Sequence, residues 1–124
     1  MADTVVDKDV DSVPVWYSIA DGGACVVLTV GGRIDSQNCA DVCEAVSAAS
    51  GYSTRLVIDL RRAEFGQAEA AGVFVRSLQR SHQRASSVWV VGPPEPVEWL
   101  LGFSAQTARV RTCATLAEAV AMVC

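Results

Sequence analysis

The chain has 124 residues and a formal net charge of −4, with 51% hydrophobic and 19% charged residues. This length predicts one domain large enough to bury a core, and this composition excludes an intrinsically disordered chain. The only histidine is His82, so a histidine-based metal centre is excluded, and the excess of acidic over basic residues excludes a chain-wide basic surface for nucleic acid.

The acidity is concentrated at the start of the chain. Residues 1–11 contain four aspartates and one lysine, a net charge of −3, so the other 113 residues together carry −1. We expect residues 1–12 to be a flexible acidic tail and residues 13–124 to form the domain. No apolar run is long enough to span a membrane and no secretory signal is visible, which predicts a cytoplasmic protein whose five cysteines stay reduced.

The domain is predicted to begin with a β-hairpin. Strands are expected over Val15–Ala20 and Ala24–Val30, and Asp21-Gly22-Gly23 is a typical turn between them. Gly31-Gly32 is expected to end the second strand.

A helix and a buried strand are predicted next. Asp35 or Ser36 is the expected N-cap of the helix and Gly51 its natural stop. The helix has an apolar stripe at helical spacing: Cys39, Val42, Cys43 and Val46. The run Leu56–Leu60 predicts a central strand buried on both faces, with a loop over Arg61–Gln67.

In the second half of the domain, helices and strands are predicted to continue to alternate. A second helix has its inner face at Ala71, Phe74, Val75 and Leu78, and its outer face at Arg76, Arg80 and Arg84. The remaining elements are a strand over Val88–Val91, a short helix over Pro96–Phe103, a polar edge strand over Ala108–Thr112 and a last helix capped by Thr115. Inward-facing positions are expected at Val97, Leu100, Leu101, Leu116, Ala119, Val120 and Val123.

The predicted element order is β-β-α-β-α-β-α-β-α. It indicates an α/β domain with a mixed, mostly parallel sheet of about five strands and about four helices. The three tryptophans, Trp16, Trp89 and Trp99, lie on apolar segments and are interpreted as core or half-core residues.

No catalytic residue, metal site or cofactor is predicted. There is no Gly-x-Ser-x-Gly motif, and no cysteine is flanked by a base that would activate it. His82 is interpreted as a surface histidine. Cys39 and Cys43 lack two further metal ligands and are interpreted as packed side chains. Redox control through the cysteines stays open, with Cys25, Cys113 and Cys124 as the other thiols.

The start of the second predicted helix has features of a binding site. A helix N-terminus carries free N–H groups and a partial positive charge, which attract an anion. Glu69 lies in this first turn, where it stabilises the helix dipole by roughly 0.3–1 kcal/mol. Helix stabilisation alone is the simpler interpretation of this glutamate.

Several segments together resemble the STAS domain, in particular the stand-alone anti-sigma-factor antagonists of bacteria. Val30–Asp35 is similar to the family's run into its first helix, and Leu56–Leu60 to its central strand. Phe65-Gly66 resembles the residues before the family's Asp-Ser-Ser-Gly motif, and Val97–Leu101 with Ser104 resembles its short helix and following turn.

The resemblance implies a partner and a docking surface. In that family an ATP-binding anti-sigma factor with kinase activity is the partner, and it phosphorylates the first serine of the motif to disrupt docking. Partner-binding residues are therefore expected at Arg33, Asp35, Ser36, Gly66, Gln67, Ala68, Glu69 and Ala70. A homodimer is left open, and neither nucleic acid nor membrane insertion is expected.

The chain departs from the family at the phosphorylation motif. Gln67-Ala68-Glu69-Ala70 replaces Asp-Ser-Ser-Gly, so the acceptor position is Ala68, which has no hydroxyl. A second register, with a two-residue insertion, places Glu69-Ala70-Ala71-Gly72 there and also supplies only alanines. Switching by serine phosphorylation is therefore predicted to be absent, and Glu69 is a candidate partial imitation of the phosphate.

These features suggest three alternative functions. The first is an anti-sigma-factor antagonist without the serine switch. The second is a STAS subunit of a larger complex, such as a lipid-transport permease or a stress-signalling scaffold. The third, an enzyme with a nucleophilic cysteine, is disfavoured because no cysteine lies next to a base.

Overall fold

The computed structural model describes residues 15–84, 87–103 and 110–123, apart from the side chains of residues 82–84 and 103. Its elements in chain order are β1 (Trp16–Asp21), β2 (Val26–Ile34), α1 (Cys39–Ser50), β3 (Arg55–Phe65), α2 (Ala68–Arg84), β4 (Ser87–Val91), α3 (Glu95–Phe103), β5 (Val110–Cys113) and α4 (Leu116–Val123). This confirms the predicted order. The expected tail, Ser104 and Cys124 lie outside the described residues.

The five strands form one sheet in the order β1-β2-β3-β4-β5. β1 pairs antiparallel with β2, with Trp16 opposite Gly31, and the other neighbours pair in parallel. In the hairpin turn, Gly23 has a φ of 87° and its N–H donates to Asp21 Oδ1 at 3.0 Å. The mixed, mostly parallel sheet is as predicted, and β5 lies at an edge.

The two faces of the sheet are covered unequally. Helices α1, α2 and α3 pack on one face, where alternate strand residues such as Leu28, Ile58 and Val90 form the main core with Phe74. A smaller core lies on the opposite face, under α4: Cys25, Val57, Val91, Ala119 and Val123. Since α4 has only eight residues, the described part of the chain covers that face only in part.

Two strands are longer than predicted. β2 continues through Gly31-Gly32 to Ile34, and β3 continues through the expected loop to Phe65. The extensions pair with each other, from Gly31 opposite Arg62 to Ile34 opposite Phe65, after an irregularity between Thr29 and Gly31. The predictions of a break and a loop were wrong because this pairing joins segments about 30 residues apart in the sequence.

The first helix begins later than predicted. α1 has Asn38 as its N-cap, not Asp35 or Ser36, and the Asn38 side chain makes no capping hydrogen bond. Asp35 instead stabilises the turn before the helix, accepting from the N–H groups of Gln37 and Asn38 at 2.9 and 3.0 Å. The predicted stop at Gly51 is confirmed, since its N–H closes the helix onto Ala48.

Other burial predictions are corrected in the second half of the domain. Trp99 is 61% exposed, and Val120 on α4 is also exposed, whereas Ala119 and Val123 are buried as expected. Thr115 caps α4 as predicted: its hydroxyl accepts from the Glu118 N–H, and the Glu118 carboxylate accepts from the Thr115 N–H, both at 3.2 Å.

Candidate functional site

The ends of β2 and β3 are joined into one surface. The Gly66 N–H donates to the Ile34 carbonyl at 2.9 Å, which carries the parallel pairing one residue past β3. The Ser36 N–H donates to Gln67 Oε1 at 3.1 Å, which links the turn after β2 to the start of α2. The surface they hold together is called the strand-end surface: Arg33, Asp35, Ser36, Gly66, Gln67, Ala68 and Glu69.

The turn between β2 and α1 is fixed by its own side chains. Asn38 Oδ1 accepts from the Asp35 N–H, while Asn38 Nδ2 donates to the Arg33 carbonyl, both at 2.9 Å. Together with the two bonds accepted by Asp35 Oδ1, these contacts leave Ser36 exposed at the tip of the turn. The turn therefore presents a defined backbone to solvent.

Arg33 is the positively charged group of the strand-end surface. Its side chain lies over Gly66, where a Cβ would come within 3.3 Å of the guanidinium Nε. Its Nε is 3.7 Å from Glu64 Oε1, and both side chains are largely exposed, at 48% and 73%. An exposed pair at this distance contributes little to stability, so Arg33 stays available to a partner.

The start of α2 adds side chains of different exposure. Gln67, Ala68 and Glu69 are exposed, whereas Ala70 is 1% exposed and packs in the main core. Phe65, just before this segment, packs its ring 5.4 Å from that of Phe74 on α2. This aromatic contact anchors the β3–α2 junction, while the first two residues of α2, Ala68 and Glu69, face solvent.

Two of the described thiols, Cys39 and Cys113, have raised pKa values. Burial, followed by the neighbouring Cys43 and Asp35, raises the pKa of the Cys39 thiol to about 12. Burial and Glu118 likewise raise the pKa of Cys113. A thiol with a raised pKa is a poor nucleophile at neutral pH.

Two of the described cysteines, Cys39 and Cys43, are free and packed between helices, whereas Cys25 is disulfide-bonded. Cys39 and Cys43 on α1 are free, and their Sγ atoms approach the α2 carbonyls of Ala70 and Val73 at 3.4 and 3.9 Å. Cys25 is disulfide-bonded, which corrects the expectation that every cysteine is reduced. No cluster of metal-binding side chains occurs within the described ranges, and the His82 side chain lies outside them.

The structure brings seven of the eight predicted partner-binding residues to one exposed surface. The exception is Ala70, whose side chain is buried. The sequence prediction missed Asn38 and Glu64. Asn38 was detectable, since Asn is a preferred residue at helix starts, but the contact between Glu64 and Arg33 depends on a register that the sequence alone does not show.

Among the described residues, no helix is long and apolar enough to cross a membrane. No curated protein is significantly similar to the chain in sequence. Solved structures do resemble it. An anti-sigma factor antagonist from Mycobacterium paratuberculosis superimposes with a TM-score of 0.71 at 21% identity, covering 89% of this chain and 94% of that one.

SpoIIAA from Bacillus also superimposes on the chain. Its phosphorylated form gives a TM-score of 0.66 at 18% identity, covering 88% of this chain and 100% of that one. Its unphosphorylated form gives 0.65 at 17% identity, covering 87% and 97%. At these identities the likeness establishes the SpoIIAA-like fold. In addition, the family model described as "Mlab, STAS domain" matches residues 18–112, and the chain therefore belongs to the STAS domain family.

Proposed function

We propose that the protein is a regulatory binding module that docks on an anti-sigma factor of the ATPase or kinase type and thereby releases a sigma factor. The observation that carries the proposal is the strand-end surface, in which Ser36 and Gln67 are hydrogen-bonded across two strand ends. Two solved structures of the same fold are anti-sigma factor antagonists by name. The STAS family consists generally of non-enzymatic regulators.

Docking is proposed to proceed without a serine switch at α2. Ala68 is exposed at the first position of α2 and has no hydroxyl to accept a phosphate. In the second register the acceptor position would be Ala70, which is buried, so the exposed position favours Ala68 as the counterpart of the family's serine. Glu69, also exposed, adds a single carboxylate charge beside it. That charge is smaller than the charge of a phosphate group at pH 7, which is about −1.5 to −2.

Binding to anti-sigma factors of the source organism tests the docking surface. We expect Arg33→Glu to weaken binding of the full chain at least about tenfold, because a charge reversal in an interface removes an attraction and adds a repulsion. Arg111→Glu is the matched control, since Arg111 is exposed on β5 at the far edge of the sheet. Affinities are measured by titration calorimetry. Equal losses for both variants, or none for Arg33→Glu, would contradict the proposal.

The missing switch is tested with the same partner and ATP. The native chain is expected to gain no phosphate, while Ala68→Ser is expected to gain one on the new hydroxyl, as read by intact and peptide mass spectrometry. Ala68→Val, which adds bulk without a hydroxyl, is the control. Phosphate on the native chain, for example on the exposed Ser36, would contradict a constitutive antagonist and indicate another acceptor.

The second candidate function is a STAS subunit of a larger complex, such as a lipid-transport permease. It is favoured by one observation: the family model that matches residues 18–112 is of the Mlab type. Affinity purification of tagged full-length protein from the source organism separates the two candidates. Recovery of a membrane ATPase complex together with failure to bind any anti-sigma factor would support the second function.

A further inference from the structure

A groove lies on the sheet face that the described part of the chain covers only in part, distinct from the start of α2. It has a volume of about 540 Å³ and lies beside the paired ends of β2 and β3. The groove is called the arginine groove after the two adjacent arginines among its lining residues: Trp16, Gly32, Arg61, Arg62, Ala63 and Glu64.

One wall of the arginine groove is the indole ring of Trp16, which lies against the backbone of Gly31. Trp16 pairs with Gly31 across the β1–β2 ladder, and its indole lies where a Gly31 side chain would be, since a Cβ there would overlap the ring. Gly31 in turn pairs with Arg62 on β3. Trp16, Gly31 and Arg62 therefore form one row across three strands, and Trp16 is 39% exposed.

The two arginines of the groove differ in their ion pairing with carboxylates. Arg61 is held by Asp59 through hydrogen bonds of 3.0 and 2.8 Å from Nε and Nη2. Arg62 is exposed and forms no ion pair with any carboxylate of the described ranges. Asp59 pairs with Arg61 and Glu64 with Arg33, so Arg62 is the groove's guanidinium without an ion-pair partner in the described ranges, although its charge reaches Asp59. The groove therefore presents an aromatic platform beside one guanidinium in excess of the carboxylates around it. An acidic, extended peptide segment suits this combination.

We propose that the occupant is the chain's own acidic N-terminal segment, residues 1–11. That segment has a net charge of −3 from Asp3, Asp7, Asp9 and Asp11 against Lys8, and four residues separate it from Trp16. Asp11 is five residues before Trp16, and an extended chain advances at most about 3.3–3.6 Å per residue, so a segment of this length is long enough to reach across the groove.

Covalent connection favours this occupant over an external one. A short tether gives the segment an effective concentration in the millimolar range at the groove. An acidic segment of another protein displaces it only if it is present at a higher concentration or binds with a higher affinity. The attraction is electrostatic at an exposed site, so salt weakens it. The arginine groove adjoins the strand-end surface, because Glu64 lines the groove and pairs with Arg33. The inference does not depend on the proposed function.

Arginine-specific labelling of the full chain tests the inference. Phenylglyoxal reacts with accessible guanidinium groups, and peptide mass spectrometry with fragmentation gives the rate at each arginine. The native chain is compared with a variant that carries Asp3→Asn, Asp7→Asn, Asp9→Asn and Asp11→Asn. At an ionic strength of about 0.01 M, Arg62 is expected to react at least about threefold more slowly in the native chain. Arg111 is the internal control and reacts equally in both.

A salt series on the native chain gives a second measurement that needs no variant. The protection of Arg62 is expected to disappear near 1 M ionic strength, where the screening length is about 3 Å. Equal Arg62 rates in the two chains at low salt would overturn the inference. Protection that increases with protein concentration would overturn it too, because it would assign the groove to the N-terminal segment of a second copy.

Discussion

At the scale of single residues, the buried Asp59 carboxylate is the most constrained charge in the described part of the chain. Burial alone would raise the pKa of this carboxyl, but hydrogen bonds from the Arg61 side chain and N–H outweigh it and lower the pKa below its usual 3.8. Gly92 leaves room for this arrangement, because a Cβ there would overlap the Arg61 side chain.

The lowered pKa of Asp59 predicts how stability depends on pH. A carboxyl whose pKa is lower in the folded state contributes stability that is fully present above its unfolded pKa and is lost as the pH falls through the folded value. We therefore expect the free energy of unfolding to fall below about pH 4, and Asp59→Asn to reduce it at pH 7 and to flatten this acid loss. Urea denaturation between pH 7 and pH 3 measures both effects.

The matched control for this prediction is Glu44→Gln, which changes an exposed acid on α1. It is expected to leave the pH profile close to that of the native chain. If Asp59→Asn left the profile unchanged as well, the Asp59–Arg61 pair would not be the source of the acid sensitivity.

At the scale of elements, α4 depends on its cap more than the longer helices do. With eight residues, it is too short to be stable without packing and capping. Thr115 and Glu118 form a reciprocal capping box at its start. We expect Thr115→Ala to destabilise the protein by about 1 kcal/mol, and Thr115→Ser by much less, since serine keeps the hydroxyl. Thermal denaturation compares the two. Equal losses would indicate that the threonine methyl group, and not the hydroxyl, matters.

The elements that could be predicted from the sequence are those whose pattern is local. The stripe of α1, the cap at Thr115 and the buried run Leu56–Ile58 depend on neighbours within a few residues, and the structure has them as expected. The extension of β3 through Arg61 and Arg62 was missed because charged residues on a partly covered sheet face look like a loop in the sequence.

The sequence predicted which residues form the candidate site but not the hydrogen bonds that join them. Its residue positions followed from the resemblance to the STAS family, whereas the bond from Ser36 to Gln67 spans 31 positions of sequence and has no local signal. Trp99 was misplaced for a related reason: an apolar composition favours burial, but only tertiary packing decides which side of α3 faces the core.

At the scale of the whole molecule, the unequal cover of the sheet predicts unequal local stability. α4 is held by the smaller core and by a hydrogen bond of 3.2 Å from Arg55 Nη1 to the Val123 carbonyl, whereas β3 lies between both cores. Segments with fewer buried contacts open at lower free energy than the global unfolding transition. We expect α4 amides to exchange with solvent by local opening, before those of Val57 and Ile58.

Native-state hydrogen exchange followed by NMR at increasing urea tests this order. Amides of α4 should show a lower and less urea-dependent opening free energy than the central β3 amides. The amides of α1, on the face with the larger core, are the internal comparison. Identical opening free energies in α4 and β3 would show that the domain unfolds as one unit.

The paired extension of β2 and β3 also limits how this chain can change in length. β3 continues past Asp59, where pairing with β4 ends, and reaches Phe65 with β2 as its only strand neighbour among the described residues. Because side chains alternate between faces with a period of two, deleting one residue between Arg62 and Phe65 would turn the Phe65 ring away from Phe74. A segment that resembles a variable loop in the sequence is therefore one where an insertion or deletion would disturb the core.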